Sequence, residues 1–146
     1  MGKINVGRVI GGGLLAGLFI NVCEFLVSGL WLAQDWEAAM KAIGVTSTST
    51  PAQMVVYWVW GFVMGILAVW LYAAIRPRFG PGPATAYTTA IALWIPAYLL
   101  SMVPPAMMGI FPLRLMLISV AVGLVELLVA TQIGAYVYKE QGTPAS

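Results

Sequence analysis

The chain has 146 residues, of which 61% are apolar and only 8% are charged: seven Lys or Arg against five Asp or Glu. Soluble domains carry roughly 25% charge, so the composition excludes a water-facing globular domain, a disordered chain and a nucleic-acid binder, whose basic face needs clustered Lys and Arg. With no histidine and one cysteine, Cys23, it also excludes histidine-ligated haem or zinc, an internal disulfide and a cysteine metal cluster.

What remains is an integral membrane protein. Four apolar runs, at about 9–33, 54–75, 84–103 and 113–138, are each long enough to cross a hydrocarbon core of about 30 Å as helix. Continuous runs without alternation argue against a barrel. The expected fold is a single all-α domain over 1–146, a four-helix transmembrane bundle with both termini inside.

The first run opens after Lys3 and Arg8. Its Gly11-Gly12-Gly13 string lacks the lysine of a P-loop. The run is too long for a signal-peptide core, and Asn21-Val22 before Cys23 does not fit a lipoprotein signal, so it is expected to be retained. The connection that follows holds Asp35, Trp36, Glu37, Met40 and Lys41, which either extend the first helix or lie on the membrane surface. Val45 to Thr50 reads as a mobile loop tip. Thr50-Pro51-Ala52-Gln53 predicts a helix start, with Thr50 as N-cap, Pro51 in the first turn and Gln53 closing a capping box. From Arg76 to Pro83, three prolines and two glycines predict a tight, charged, non-helical turn. In the third run Pro96 predicts a kink, and Pro104-Pro105 an end.

Charge placement predicts orientation. Lys3, Arg8, Arg76, Arg78 and Lys139 fall at one set of helix ends, which the positive-inside rule puts in the cytoplasm. Trp31, Trp36, Tyr57, Trp58, Trp70, Tyr72, Tyr136 and Tyr138 fall near helix ends, as amphipathic rings do at a membrane interface.

Two carboxylates interrupt the apolar runs, Glu24 and Glu126. An ionisable group at mid-membrane costs roughly 2.5–3.5 kcal/mol on insertion scales, so its default reading is functional. Each sits third in a stripe spaced 4, 3, 4: Gly17, Asn21, Glu24, Ser28 and Ser119, Gly123, Glu126, Ala130. If the stripes face each other, the carboxyls form a proton or cation site. Alternatively each glutamate is protonated, hydrogen-bonded glue with Asn21, Ser28, Ser119, Thr131 or Gln132, or Glu24 pairs with Arg114. Gly13-x-x-x-Gly17 and Gly61-x-x-x-Gly65 predict close helix packing within the chain ahead of pairing between chains. Met102, Met107, Met108 and Met116 could offer thioethers to Cu(I), but methionine is an ordinary gap-filler, and no metal or cofactor is expected.

The segments Trp36-x-x-Ala39-Met40-Lys41-Ala42, 68–78 and Gly123-Leu124-Val125-Glu126-Leu127 resemble those of small uncharacterised bacterial inner-membrane proteins with four helices. That resemblance brings no activity with it. In outline the chain is also similar to two characterised families. Small multidrug-resistance transporters bind protons and cationic drugs at a glutamate of their first helix, to which only Glu24 could correspond. The membrane-associated eicosanoid and glutathione enzymes hold glutathione with arginines inside the bundle, where this chain has only Arg114. An enzyme is not expected, because a nucleophile and base would have to be built without histidine. The first functional expectation is a non-enzymatic membrane subunit or scaffold, working in the lipid bilayer as a homo-oligomer or in a larger complex. The second is a proton-coupled carrier or channel using Glu24 and Glu126.

Overall fold

The computed structural model describes residues 3–46 and 50–139. Residues 47–49 of the expected loop tip lie outside the described residues. Every element described is helical, and four spans are long and apolar enough to cross a membrane: Val6–Trp31, Pro51–Phe79, Pro83–Met107 and Leu113–Val137.

The first span is helix α1 (Val6–Leu26) continued by a π turn, Val27–Trp31. Asn5 caps it, its Oδ1 accepting the Arg8 N–H at 3.2 Å. A separate helix follows, α2 (Ala33–Ala42), whose Ala39 is buried with Leu32 and Leu115 and whose Trp36 meets Phe111 edge to face at 5.5 Å. The stretch after the first run is thus a separate helix rather than an extension of α1. Helix α3 (Pro51–Phe79) begins with the expected capping box. The Thr50 N–H donates to Gln53 Oε1 at 2.9 Å, and the Gln53 N–H donates to Thr50 Oγ1 at 3.3 Å.

Two proline-based expectations are corrected. Arg76-Pro77-Arg78 is not a turn: α3 runs through it to Phe79 and ends at Gly80, where φ is 84°. One proline removes a single donor, and here it does so in a final turn whose Gly80 N–H still reaches the Arg76 carbonyl at 2.9 Å. The real turn is short, with positive φ at Gly80 and Gly82. Nor does Pro104-Pro105 end the third span. Helix α4 (Pro83–Trp94) passes through a second π turn, Ile95–Leu100, into α5 (Ser101–Met107). The π turn is where Pro96 withholds its donor, so the expected kink takes that form. Ser101 Oγ donates to the Ala97 carbonyl at 2.6 Å, and the chain turns only at Gly109, with φ of 65°.

Helix α6 (Leu113–Val137) packs against α1, α3 and α4. The core is rich in small residues, with Ala16, Ala68, Ala86, Ala90 and Ala130 fully buried beside Ile20, Val69 and Leu127. Small side chains let helix backbones approach, which is what drives association where lipid is as apolar as leucine. The closest approach joins α1 to α3. A Cβ on Gly13 would lie 2.5 Å from the Ile66 Cα, one on Gly17 2.6 Å from the Phe62 Cα, and one on Gly65 would strike the Gly17 backbone. Both glycine pairs are therefore used inside the chain.

The Gly65→Ala substitution should destabilise the bundle by about 1–3 kcal/mol in reversible detergent unfolding, the range for overpacking. At Gly11 a Cβ meets open space, so Gly11→Ala should be neutral or stabilising by up to about 1 kcal/mol. Equal effects at the two sites would contradict this account of the interface.

Candidate functional site

Glu126 stands near the middle of α6, and its side chain is turned into the bundle with 2% exposure. What gives it room is the glycine one turn earlier. A Cβ at Gly123 would strike the Tyr98 ring, so the ring lies flat against the α6 backbone. From there the Tyr98 hydroxyl donates to Glu126 Oε2 at 3.2 Å. Tyr98 itself is 7% exposed and belongs to the second π turn.

Glu24 approaches from α1. It is half-buried and takes a hydrogen bond from Ser28 Oγ at 2.9 Å, Ser28 lying in the first π turn. Its carboxyl lies close enough to that of Glu126 for their charges to act on each other. The two π turns of the molecule thus each deliver one hydroxyl donor to one member of a carboxyl pair. Such turns concentrate at functional sites, because the extra residue re-aims side chains.

Among the described residues, Glu126 Oε1 is buried and receives no donor. Ionised carboxylates only accept, so a hydrogen bond between the two requires a proton on one of them. The arrangement can hold a proton between α1 and α6, with a phenol and a hydroxyl as its outer donors.

The other expected residues are distributed elsewhere. The first stripe straddles two interfaces: Gly17 and Asn21 face α3, while Glu24 and Ser28 face the pair. Asn21 Nδ2 donates to the Trp58 carbonyl at 3.1 Å and packs where Gly61 has no side chain. Gln132 Nε2 donates to the Pro83 carbonyl at 2.9 Å, tying α6 to the start of α4. Ser119 Oγ bonds its own helix at the Leu115 carbonyl. The buried Thr131 hydroxyl has no partner among the described residues. Arg114 does not pair with Glu24. It faces Asp35 of α2 at 3.9 Å with both side chains largely exposed, a geometry worth about 0–1 kcal/mol.

Tyr98 is the residue that the sequence reading did not name. Its signal was present: a tyrosine inside an apolar run needs a partner for its hydroxyl, and it follows Pro96 by two positions.

No protein-family model, curated protein or solved structure matches the chain. The fold and its four apolar spans define it as an integral membrane protein, and the site within it is a buried carboxyl pair.

The hydrogen bond from Tyr98 to Glu126 should be measurable in a double-mutant cycle of Tyr98→Phe with Glu126→Leu. The expected coupling is about 0.6 kcal/mol, with about 1.7 as the upper end for polar contacts between membrane helices. Additive effects would show that the two groups do not interact.

Proposed function

We propose that the chain is a non-enzymatic integral membrane protein whose Glu24–Glu126 pair holds an exchangeable proton, and that it works as a small proton-coupled carrier or channel. The observation that supports this reading is Glu126 Oε1, buried without a donor beside a second carboxyl. Ionised carboxylates only accept, so that oxygen and the neighbouring carboxyl can meet only through a shared proton. An ionisable group inside a span, facing the bundle interior and paired with another, is the usual mark of a proton pathway.

Both termini and the Gly80–Gly82 turn face the cytoplasm in this reading. In its support, the Asn5 N–H donates to the Tyr138 hydroxyl at 3.3 Å, and the guanidinium of Arg76 lies over the Tyr138 ring. Those contacts bring the start of α1, the end of α3 and the end of α6 together at the basic end. The membrane is the inner membrane of a bacterium, in keeping with the small proteins that the sequence resembles.

A second reading, a membrane subunit or scaffold, is favoured by a different observation. Every residue from Pro51 to Trp60 is exposed, Tyr57 by 67% and Trp58 and Trp60 each by 45%. A helix segment bare on all sides is one that contact with another chain would cover. Native mass spectrometry after gentle extraction from the host membrane tests it. A complex with other chains favours the subunit, and a bare monomer removes its support.

For the carrier reading, infrared spectra of the reconstituted protein should contain a protonated-carboxyl band that shifts in heavy water. Both Glu24→Gln and Glu126→Gln should abolish it, together with proton movement into vesicles. A band and a proton flux unchanged in both variants would overturn the proposal.

A further inference from the structure

The basic end of the bundle carries a groove that the carboxyl pair does not use. It runs between the start of α4 and the last turns of α6, has a volume of about 520 Å³, and is lined mainly by Tyr72, Pro83, Gln132, Ile133, Tyr136 and Val137. Its wall is almost wholly apolar. Tyr136, at its rim, is 91% exposed. The outward face of the spans around it is rich in exposed apolar side chains, a surface suited to acyl chains rather than water.

Among the described residues, the charges around this groove have one sign. Arg78 precedes the short turn whose Gly82 and Pro83 make one wall, and Lys139 follows Val137 by two residues. Both side chains are exposed. Lys3 and Arg8 are exposed at the same end. No described carboxylate lies there: Asp35 and Glu37 belong to α2 at the opposite end, and Glu24 and Glu126 to the interior.

One buried donor also remains. Tyr72 is 3% exposed and lines the groove, and its hydroxyl accepts the Gly82 N–H at 3.1 Å. Among the described residues its own proton has no acceptor. A phenol has one proton to give, and burying it unused carries a cost that a ligand oxygen would remove. Gln132 cannot serve in its place, because its amide is already committed to the Pro83 carbonyl.

We propose that this groove binds an anionic phospholipid. One acyl chain lies along α6 against Ile133 and Val137. The phosphate sits between Arg78 and Lys139, and the Tyr72 hydroxyl donates to a phosphate or ester oxygen. Basic side chains flanking a groove between membrane helices are the general form of such sites. The apolar wall explains why a free anion would not suffice, and the exposed Arg78 and Lys139 explain why a zwitterionic lipid would bind less well. The inference rests on the four spans and the groove, not on the carboxyl pair.

The test is native mass spectrometry of the full chain with phosphatidylglycerol and phosphatidylcholine of identical acyl chains as competing probes. One phosphatidylglycerol should be retained with a preference of roughly 30-fold, about fivefold for each of two basic side chains. The exposed pair of changes Arg78→Gln and Lys139→Gln, which leaves the packing untouched, should bring that preference close to parity. Ile133→Trp, which grows into the groove, should lower retention of both lipids. Equal retention of the two lipids by the unaltered chain would overturn the proposal. So would a preference that survives in the double variant, retention that is unchanged in Ile133→Trp, or displacement of the lipid by inorganic phosphate.

Discussion

A carboxyl group buried to 2% exposure among apolar helices constrains everything packed around it. At the middle of a span Glu126 has no water to turn to, and the energetic cost of leaving it unpaired exceeds that of any local distortion nearby. The distortions follow from that requirement. Position 123 has no side chain, so that a tyrosine ring can lie on the α6 backbone. The third span gives up regular helix over Ile95–Leu100 so that the tyrosine points at the carboxyl. The first span does the same over Val27–Trp31, where Ser28 turns back to Glu24. Each departure from ideal helix would be unfavourable alone. Together they place four polar groups within reach of one another in a medium that tolerates none of them singly.

The bundle that holds this cluster is built from close backbone approach rather than from large interlocking side chains. In lipid, apolar side chains gain little by leaving one apolar surface for another, so association rests on dispersion contacts and polar ties. Glycine at 13, 17, 61 and 65 supplies the first at the α1–α3 crossing. The second is supplied by Asn21 to the Trp58 carbonyl between α1 and α3, and twice between α4 and α6, by Trp94 Nε1 to the Val120 carbonyl at 2.9 Å and by Gln132 to the Pro83 carbonyl. The interface between α1 and α6 differs, because there the polar groups that meet are two acids. Two acids can tie helices together only while they share a proton. In the proposed reading, the strength of that helix pair depends on proton occupancy.

Most of the architecture was legible because the bilayer imposes it. The length of an apolar run translates directly into a span, and Thr50 with Gln53 marked a helix start from local hydrogen bonding alone. What misled was proline. Pro77, Pro104 and Pro105 read as terminators, a rule learned where water competes for the backbone. Inside or near a membrane the alternative to helix is an unsatisfied carbonyl, so a span tolerates the loss of one donor and repairs it with a π turn or a hydroxyl such as that of Ser101. The same reasoning applies to the site. The two glutamates were visible, because a charge in an apolar run has few explanations. Their convergence was not, since a 4, 3, 4 stripe fixes neighbours on one helix but not the facing helix, and the first stripe proved to serve two interfaces. Arg114 illustrates the converse: it looked close enough to reach inward, but α2 folds back and offers Asp35 in water instead.

The order of the two functional readings turns on what each requires. A scaffold needs its polar groups satisfied, and the ties made by Asn21, Trp94 and Gln132 meet that standard. The carboxyl pair does not, and it lies where an unsatisfied oxygen is most unfavourable. Where α1–α3 and α4–α6 are tied by such bonds, the two acids that meet between α1 and α6 are, in the proposed reading, a site that loads and unloads a proton. The hydroxyls of Ser28 and Tyr98 fit that role, since each stands on a π turn and a π turn can exchange register with ordinary helix by shifting a single hydrogen bond along the chain. Loss of the shared proton would set two like charges against each other between α1 and α6, and the two π turns are the segments of those walls best able to move in response.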